Sequence, residues 1–170
     1  MHLYMSALLI VFPALMAYAA VSDLLTMTIS NRISLLLTAG FIVLALAGGL
    51  SWHAIGMHGL AALCTLVVTF GMFAAGWMGG GDAKIAAATM LWLGFGGVME
   101  YALMTAMAGG VLTFVVISFR DYPLPAFAEN WEWSRRLHSA TSGIPYGIAL
   151  AFGALIAYPH TDLWRLAIFG

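Results

Sequence analysis

Charged side chains are scarce in this chain of 170 residues: Lys and Arg number six, Asp and Glu seven, and together they form 8% of the sequence. An ordinary soluble domain carries about 25%. Because 63% of the residues are hydrophobic, so few charges cannot cover a water-soluble globule of this size. No run of Lys or Arg is present, which argues against a nucleic-acid partner, since phosphate contacts need clustered cations. The composition predicts a small all-α, polytopic membrane protein that lies in the lipid bilayer.

Cysteine is almost absent, since Cys64 is the only one. A single thiol excludes internal disulfides and any zinc site of the Cys-x-x-Cys type. The five histidines show no spacing typical of metal ligands, so we expect no metal and no other cofactor. No repeat, low-complexity tract or domain boundary appears, and residues 1–170 are expected to form one integral-membrane domain.

Charge-free apolar blocks predict about six transmembrane helices, since one span needs about 20 mostly apolar residues. The blocks lie near residues 3–22, 32–51, 58–78, 83–97, 99–119 and 143–159. The fourth block is short, so we expect it to be buried, tilted or located where the bilayer is thinner. The first block ends in small residues, as a signal peptide does, but no Lys or Arg precedes it. It is therefore expected to be a retained helix.

The distribution of cations predicts the orientation, because cytoplasmic loops are enriched in Lys and Arg. With six spans, one face carries five cations and the other carries only Arg165. We therefore expect the first face to be cytoplasmic and both termini to lie on the outer side. A cytoplasmic segment near 126–137 is expected to form an amphipathic surface helix, with Glu132 and Arg136 paired at i,i+4. The five cations are Arg32, Lys84, Arg120, Arg135 and Arg136.

Two aspartates at predicted helix ends are the main candidates for chemistry, because an ionisable residue costs roughly 2.5–3.5 kcal/mol at the centre of a span. Asp23 follows one crossing and Asp82 follows three, so both must lie on the same face of the membrane. Two carboxylates held close together keep one proton between them. The ionised one can then activate water for peptide hydrolysis while the protonated one polarises the scissile carbonyl. By itself this pattern equally fits a proton-coupled transporter or a noncatalytic assembly subunit.

The local sequence around these aspartates favours one of these three functions. Residues 79–84 read Gly-Gly-Gly-Asp-Ala-Lys, and residues 23–31 begin with an aspartate and end in Ile-Ser-Asn. Residues 143–147 read Gly-Ile-Pro-Tyr-Gly. In order and spacing these segments resemble the type IV prepilin peptidase family, with its Gly-x-Gly-Asp motif, its first aspartate separated by five residues from Ile-Pro-Asn, and its last-helix segment. Ser30 stands in place of the family's proline, and Ser30 or Asn31 is expected to cap the second helix instead.

The resemblance implies a multi-pass aspartyl protease of the bacterial inner membrane that removes the leader peptide of prepilins at the cytoplasmic face. In such a membrane the outer side predicted from the cations is the periplasm, so both termini are expected to be periplasmic. Asp23 and Asp82 match the two catalytic aspartates. The chain is short, like the Tad/Flp-pilus branch, and lacks the four-cysteine zinc insertion of larger relatives, so no methyltransferase activity is expected. The remaining motif positions, expected to position the substrate, are Gly79, Gly80, Gly81, Lys84 and Asn31.

Overall fold

The computed structural model describes residues 2–125 and 127–169, and within those ranges the chain forms helices and connecting turns without any strand. The predicted all-α class is therefore confirmed. Short 3₁₀ turns at Phe95–Gly97 and Tyr158–His160 join the helices on either side of them. The α-helices in these ranges are α1 (His2–Thr26), α2 (Asn31–Ala47), α3 (Trp52–Ala74), α4 (Gly80–Leu93), α5 (Val98–Arg120), α6 (Glu132–His138), α7 (Gly147–Ala157) and α8 (Asp162–Phe169).

Three helical segments in the described part of the chain are long and apolar enough to cross a membrane. They are Leu9–Thr26, Trp52–Ala74 and Phe95–Arg120, while Asn31–Ala47 and Gly147–His160 are apolar but shorter. Helix α4 has 14 residues, which at 1.5 Å per residue is about 21 Å. The hydrocarbon core of a bilayer is about 30 Å thick. Three helices of spanning length are thus found among the described residues, and six crossings remain a prediction.

The ends of the first helices follow from local side chains. Helix α1 ends at Thr26 because Met27 adopts a left-handed conformation, with a φ angle of 54°. The hydroxyl of Ser30 then caps α2 by accepting a hydrogen bond of 3.3 Å from the N–H of Arg32. The predicted serine cap is therefore confirmed, and the turn from 27 to 30 brings the start of α2 close to Asp23 on α1.

Helix α4 is the buried centre of the bundle, with α3 packed along one side and α2 and α7 on others. A cluster of aromatic side chains packs around the carboxyl-terminal end of α4. The ring of Phe12 lies 5.1 Å from that of Trp92 and 4.5 Å from that of Tyr158, measured between centroids. The indole N–H of Trp92 donates to the carbonyl oxygen of Leu37 at 3.0 Å. These contacts fix α1, α2 and α7 around α4, which carries Asp82 in its first turn.

The amphipathic segment is shorter as a helix than the predicted range 126–137. Helix α6 covers Glu132–His138, residues 127–130 form turns, and position 126 lies outside the described residues. The carbonyl of Pro125 accepts a 2.8 Å bond from the N–H of Ala128, so the chain turns there before the helix begins. The expected i,i+4 pair is present, with Nη2 of Arg136 at 3.3 Å from Oε1 of Glu132.

Candidate active site

Asp82 lies in the first turn of α4, three residues after the N-cap residue Gly79. The N–H of Gly79 donates a hydrogen bond to the Asp82 carboxylate, which reaches back over the helix start as in a capping box. A Cβ atom at position 79 would lie 3.0 Å from Oδ2 of Asp82. A side chain at 79 would therefore press on this carboxylate, which lies where the helix dipole favours negative charge.

Asp23 lies in the last turns of α1 and is buried, with 5% of its surface exposed. Its Oδ2 accepts a hydrogen bond of 2.7 Å from the N–H of Gly147, the first residue of α7. A Cβ atom at position 147 would lie 2.8 Å from that oxygen and 2.9 Å from Cδ1 of Ile29. Such distances are too short for real contacts, so the close approach of α7 to Asp23 requires glycine.

Ile29 connects the surroundings of the two aspartates. Its side chain contacts Gly147, which binds Asp23, and it also packs against Gly81, the neighbour of Asp82. A Cβ atom at position 81 would lie 3.2 Å from Cβ of Ile29 and 3.3 Å from its carbonyl oxygen. The structure thus gathers the end of α1 and the starts of α4 and α7 around one side chain, and it places Asp23 and Asp82 in the same site.

The electrostatics of Asp82 reflect this placement. The residue precedes the buried part of α4 and lies outside the three segments of spanning length. Burial and, to a smaller extent, repulsion from the Asp23 carboxylate raise the pKa of Asp82 from 3.8 to about 6, while the hydrogen bond from Gly79 opposes the rise. This pKa is closer to neutral pH than that of an ordinary aspartate.

Lys84 and Asn31 are bound to each other. The Nζ atom of Lys84 donates to Oδ1 of Asn31 at 2.9 Å, in an exposed position that ties the start of α2 to α4. Both residues line a groove of about 550 Å³ between α2, α3 and α4, here called the lysine groove. Gly80 packs against the ring of Phe73, where a Cβ atom would lie 3.3 Å away. The Lys84–Asn31 hydrogen bond thus joins α4 to α2, and Gly80 brings the start of α4 against α3.

Arg120, the last residue of α5, holds the loop that leads to α7. Its Nε donates to the carbonyl oxygen of Leu137 at 2.9 Å, and its Nη2 donates to those of Ser142 at 3.0 Å and Gly143 at 2.9 Å. Four residues after Gly143 the same chain presents the N–H of Gly147 to Asp23. Arg120 therefore fixes the segment that orients the first aspartate.

Sequence reasoning missed both Gly147 and Arg120 as site residues. Gly147 belongs to the Gly-Ile-Pro-Tyr-Gly segment that carries part of the family resemblance, and this was the available signal. Arg120 carried no signal beyond its position at the end of a predicted span, because its partners are backbone carbonyls of a loop.

A comparison with known protein families covers the part of the chain that holds both aspartates. A family model described as the type IV leader peptidase family matches residues 10–114, which is more than half of the chain. The matched range includes Asp23, Asp82 and the glycines before Asp82, and it ends before Arg120 and Gly147. No curated protein and no solved structure matches the chain.

Proposed function

Since the chain belongs to the type IV leader peptidase family, we propose that it is an aspartyl endopeptidase that removes the leader peptide of Flp/Tad-type prepilins at the cytoplasmic face of the bacterial inner membrane. The observation that carries this proposal is that Ile29 packs against both Gly147, which binds Asp23, and Gly81, the neighbour of Asp82, where α1 and α4 converge. Mutual repulsion of the two aspartates contributes to the raised pKa of Asp82, as two carboxylates of one site require.

In the proposed reaction the pair holds one proton and titrates as a unit. The ionised carboxylate removes a proton from a water molecule, whose oxygen attacks the scissile carbonyl carbon, while the protonated carboxyl group donates to the carbonyl oxygen. The resulting gem-diol collapses as the C–N bond breaks. One of its hydroxyl groups returns a proton to the carboxylate that had donated to the carbonyl oxygen, and the leaving amine takes a proton from the carboxyl group that removed it from water. The pair then again holds one proton, so the catalyst is restored.

The remaining site residues are proposed to position this pair. Gly79 lets Asp82 reach back over its helix start, Gly81 gives Ile29 room, and Gly147 binds Asp23. The Lys84–Asn31 hydrogen bond is proposed to hold α2 against α4. No metal and no cofactor takes part in the proposed reaction, and no methyltransferase activity is proposed.

The proposed topology has six crossings in one integral-membrane domain, with α2, α4 and α7 as short crossings supported by the longer helices. The cytoplasmic side is assigned from five cations on the face that includes the end of α1 and the start of α4. Both termini are then periplasmic. The substrate reaches the site from the bilayer, with its leader on the cytoplasmic side.

The test is incubation of the purified protein with a candidate Flp-type precursor, followed by mapping of the amino terminus of the product. The intact protein is expected to yield one shortened product, and Asp23→Asn and Asp82→Asn are expected to yield none while remaining inserted. Asp121→Asn is the matched control, because Asp121 is an exposed acid in the cytoplasmic loop after α5. Cleavage by either site variant, or proton flux in liposomes without any cleavage, would overturn the proposal.

A further inference from the structure

A second groove, of about 720 Å³, lies between α3 and α5 and has α4 and α7 at its base. We call it the α3–α5 groove. It differs from the lysine groove in its chemistry, because the side chains along it are almost entirely apolar and most of them are small. They include Cys64 and Val68 of α3, Ala86 and Met90 of α4, and Ala102 and Ala106 of α5.

The α3–α5 groove leads directly to Asp82. On α4, positions 82, 86 and 90 follow one another at i,i+4 spacing and form one stripe of the helix. Ala86 and Met90 line the groove, so Asp82 stands at the end of the same stripe. Lys84 begins a different stripe of α4, and this stripe faces the lysine groove.

The same end of the groove also borders the surroundings of Asp23. Tyr146 lines the groove and precedes Gly147, whose N–H binds the Asp23 carboxylate. The hydroxyl of Tyr146 is seated where Gly109 of α5 leaves space, so this side chain joins α5 to the start of α7. The groove therefore ends one helical turn from Asp82 and beside the residue that binds Asp23, and from there it continues along α4.

We propose that the α3–α5 groove seats the apolar transmembrane helix of the precursor, so that the peptide bond just before that helix reaches Asp23 and Asp82. This inference rests on the proposed function. The groove walls are two helices of spanning length, so an occupant enters sideways from the lipid. Small exposed side chains such as Ala102 and Ala106 let a helix backbone approach closely, and close packing of this kind is a main source of helix association in a bilayer.

The lysine groove does not fit this occupant as well. Its α4 stripe leads to Lys84 and Asn31, and the hydrogen bond between them occupies that end. A precursor lying there would bring its cleavage point to a cation and not to the carboxylate pair. A basic leader would also be repelled by Lys84 and attracted by the aspartates.

The test uses the single native cysteine as a probe. Cys64 is exposed in the α3–α5 groove, and its neighbour Leu63 is 55% exposed in the lysine groove at the same depth of α3. Precursors with one cysteine placed in turn along the apolar helix are mixed with the uncleaving Asp82→Asn variant and oxidised. We expect disulfides with Cys64 at every third or fourth precursor position. We expect none in a Cys64→Ser, Leu63→Cys variant.

A second variant tests the groove without cross-linking. Ala102→Trp fills the α3–α5 groove, and we expect it to raise KM about tenfold, as loss of substrate contacts does, while the Tm stays unchanged. Leu63→Trp in the lysine groove is the control and should leave KM unchanged. If the intact protein cleaves the precursor but cross-links form only through Leu63→Cys, or Cys64 links only to a second copy of this chain, the proposed seat is wrong and the proposed function stands. If nothing is cleaved at all, the proposed function fails first.

Discussion

The backbone N–H of Gly147 donates a hydrogen bond of 2.7 Å to the carboxylate of Asp23, although the two residues are 124 positions apart. The bond joins the end of α1 to the start of α7 in a buried place, where an unpaired carboxylate oxygen would be costly. It orients the carboxylate without using any side chain of α7. Part of the proposed catalytic apparatus is therefore backbone held at a fixed distance.

We predict that Gly147→Ala lowers kcat/KM about 100-fold, since displacing a catalytic group by about 1 Å costs this much. The added methyl group would lie 2.8 Å from Oδ2 of Asp23, so α7 or the carboxylate must move. Gly143→Ala is the control, because no atom lies within 4 Å of a Cβ atom there. Both variants are compared by initial rates and by Tm. Equal rates for the two would contradict the role of this contact.

We predict that Arg120→Gln lowers kcat about tenfold, by analogy with other losses of positioning, and leaves KM almost unchanged. The substitution removes the three hydrogen bonds that hold residues 137–143 before α7. Arg120→Lys should be nearly as poor, because one ammonium group cannot replace the guanidinium fork. Arg136→Gln, which loses only its ion pair with Glu132, should behave as the unaltered protein does. A rise in KM with unchanged kcat would instead indicate direct substrate contact.

We predict that Asp23→Asn lowers the pKa of Asp82. Repulsion from the Asp23 carboxylate is one cause that raises this pKa to about 6, and the substitution removes that charge while burial remains. The Asp82 carboxyl group should therefore lose its proton at a lower pH in the variant than in the unaltered protein. The measurement is a pH titration of the ¹³C-labelled aspartate carbonyl signals by NMR in detergent micelles. Identical titration curves would show that the two carboxylates do not interact.

We predict that Lys84→Met and Asn31→Ala each reduce the free energy of unfolding by about 0.5 kcal/mol, as expected for an exposed pair. The double variant should lose no more stability than either single variant, because each of the three variants removes the same 2.9 Å hydrogen bond. Unfolding in mixed SDS micelles measures these differences. Losses that add up in the double variant would mean that the two residues act separately.

Much of this architecture is readable from the sequence because membrane helices leave strong local signals. The apolar blocks predicted the helices that surround the site, and Ser30 predicted the start of α2. That Asp23 and Asp82 share one face of the membrane stays a prediction. The shortening of the predicted amphipathic helix follows from Pro125, whose turn precedes α6. What the sequence did not reveal depends on backbone groups: the N–H of Gly147 and the carbonyls bound by Arg120 have the same chemistry in every residue.

The central claim is that Asp23 and Asp82 act together in one step of peptide hydrolysis, and a double-mutant cycle on cleavage tests it most directly. The rate of precursor cleavage is measured for the intact protein, Asp23→Asn, Asp82→Asn and the double variant. Each single change is expected to lower kcat by roughly 10³-fold or more, and the double change by no more than the larger single one, because residues that act as a unit are not additive. If the two single losses in kcat multiplied in the double variant, the account would be contradicted. A single variant that cleaved about as fast as the intact protein would contradict it as well.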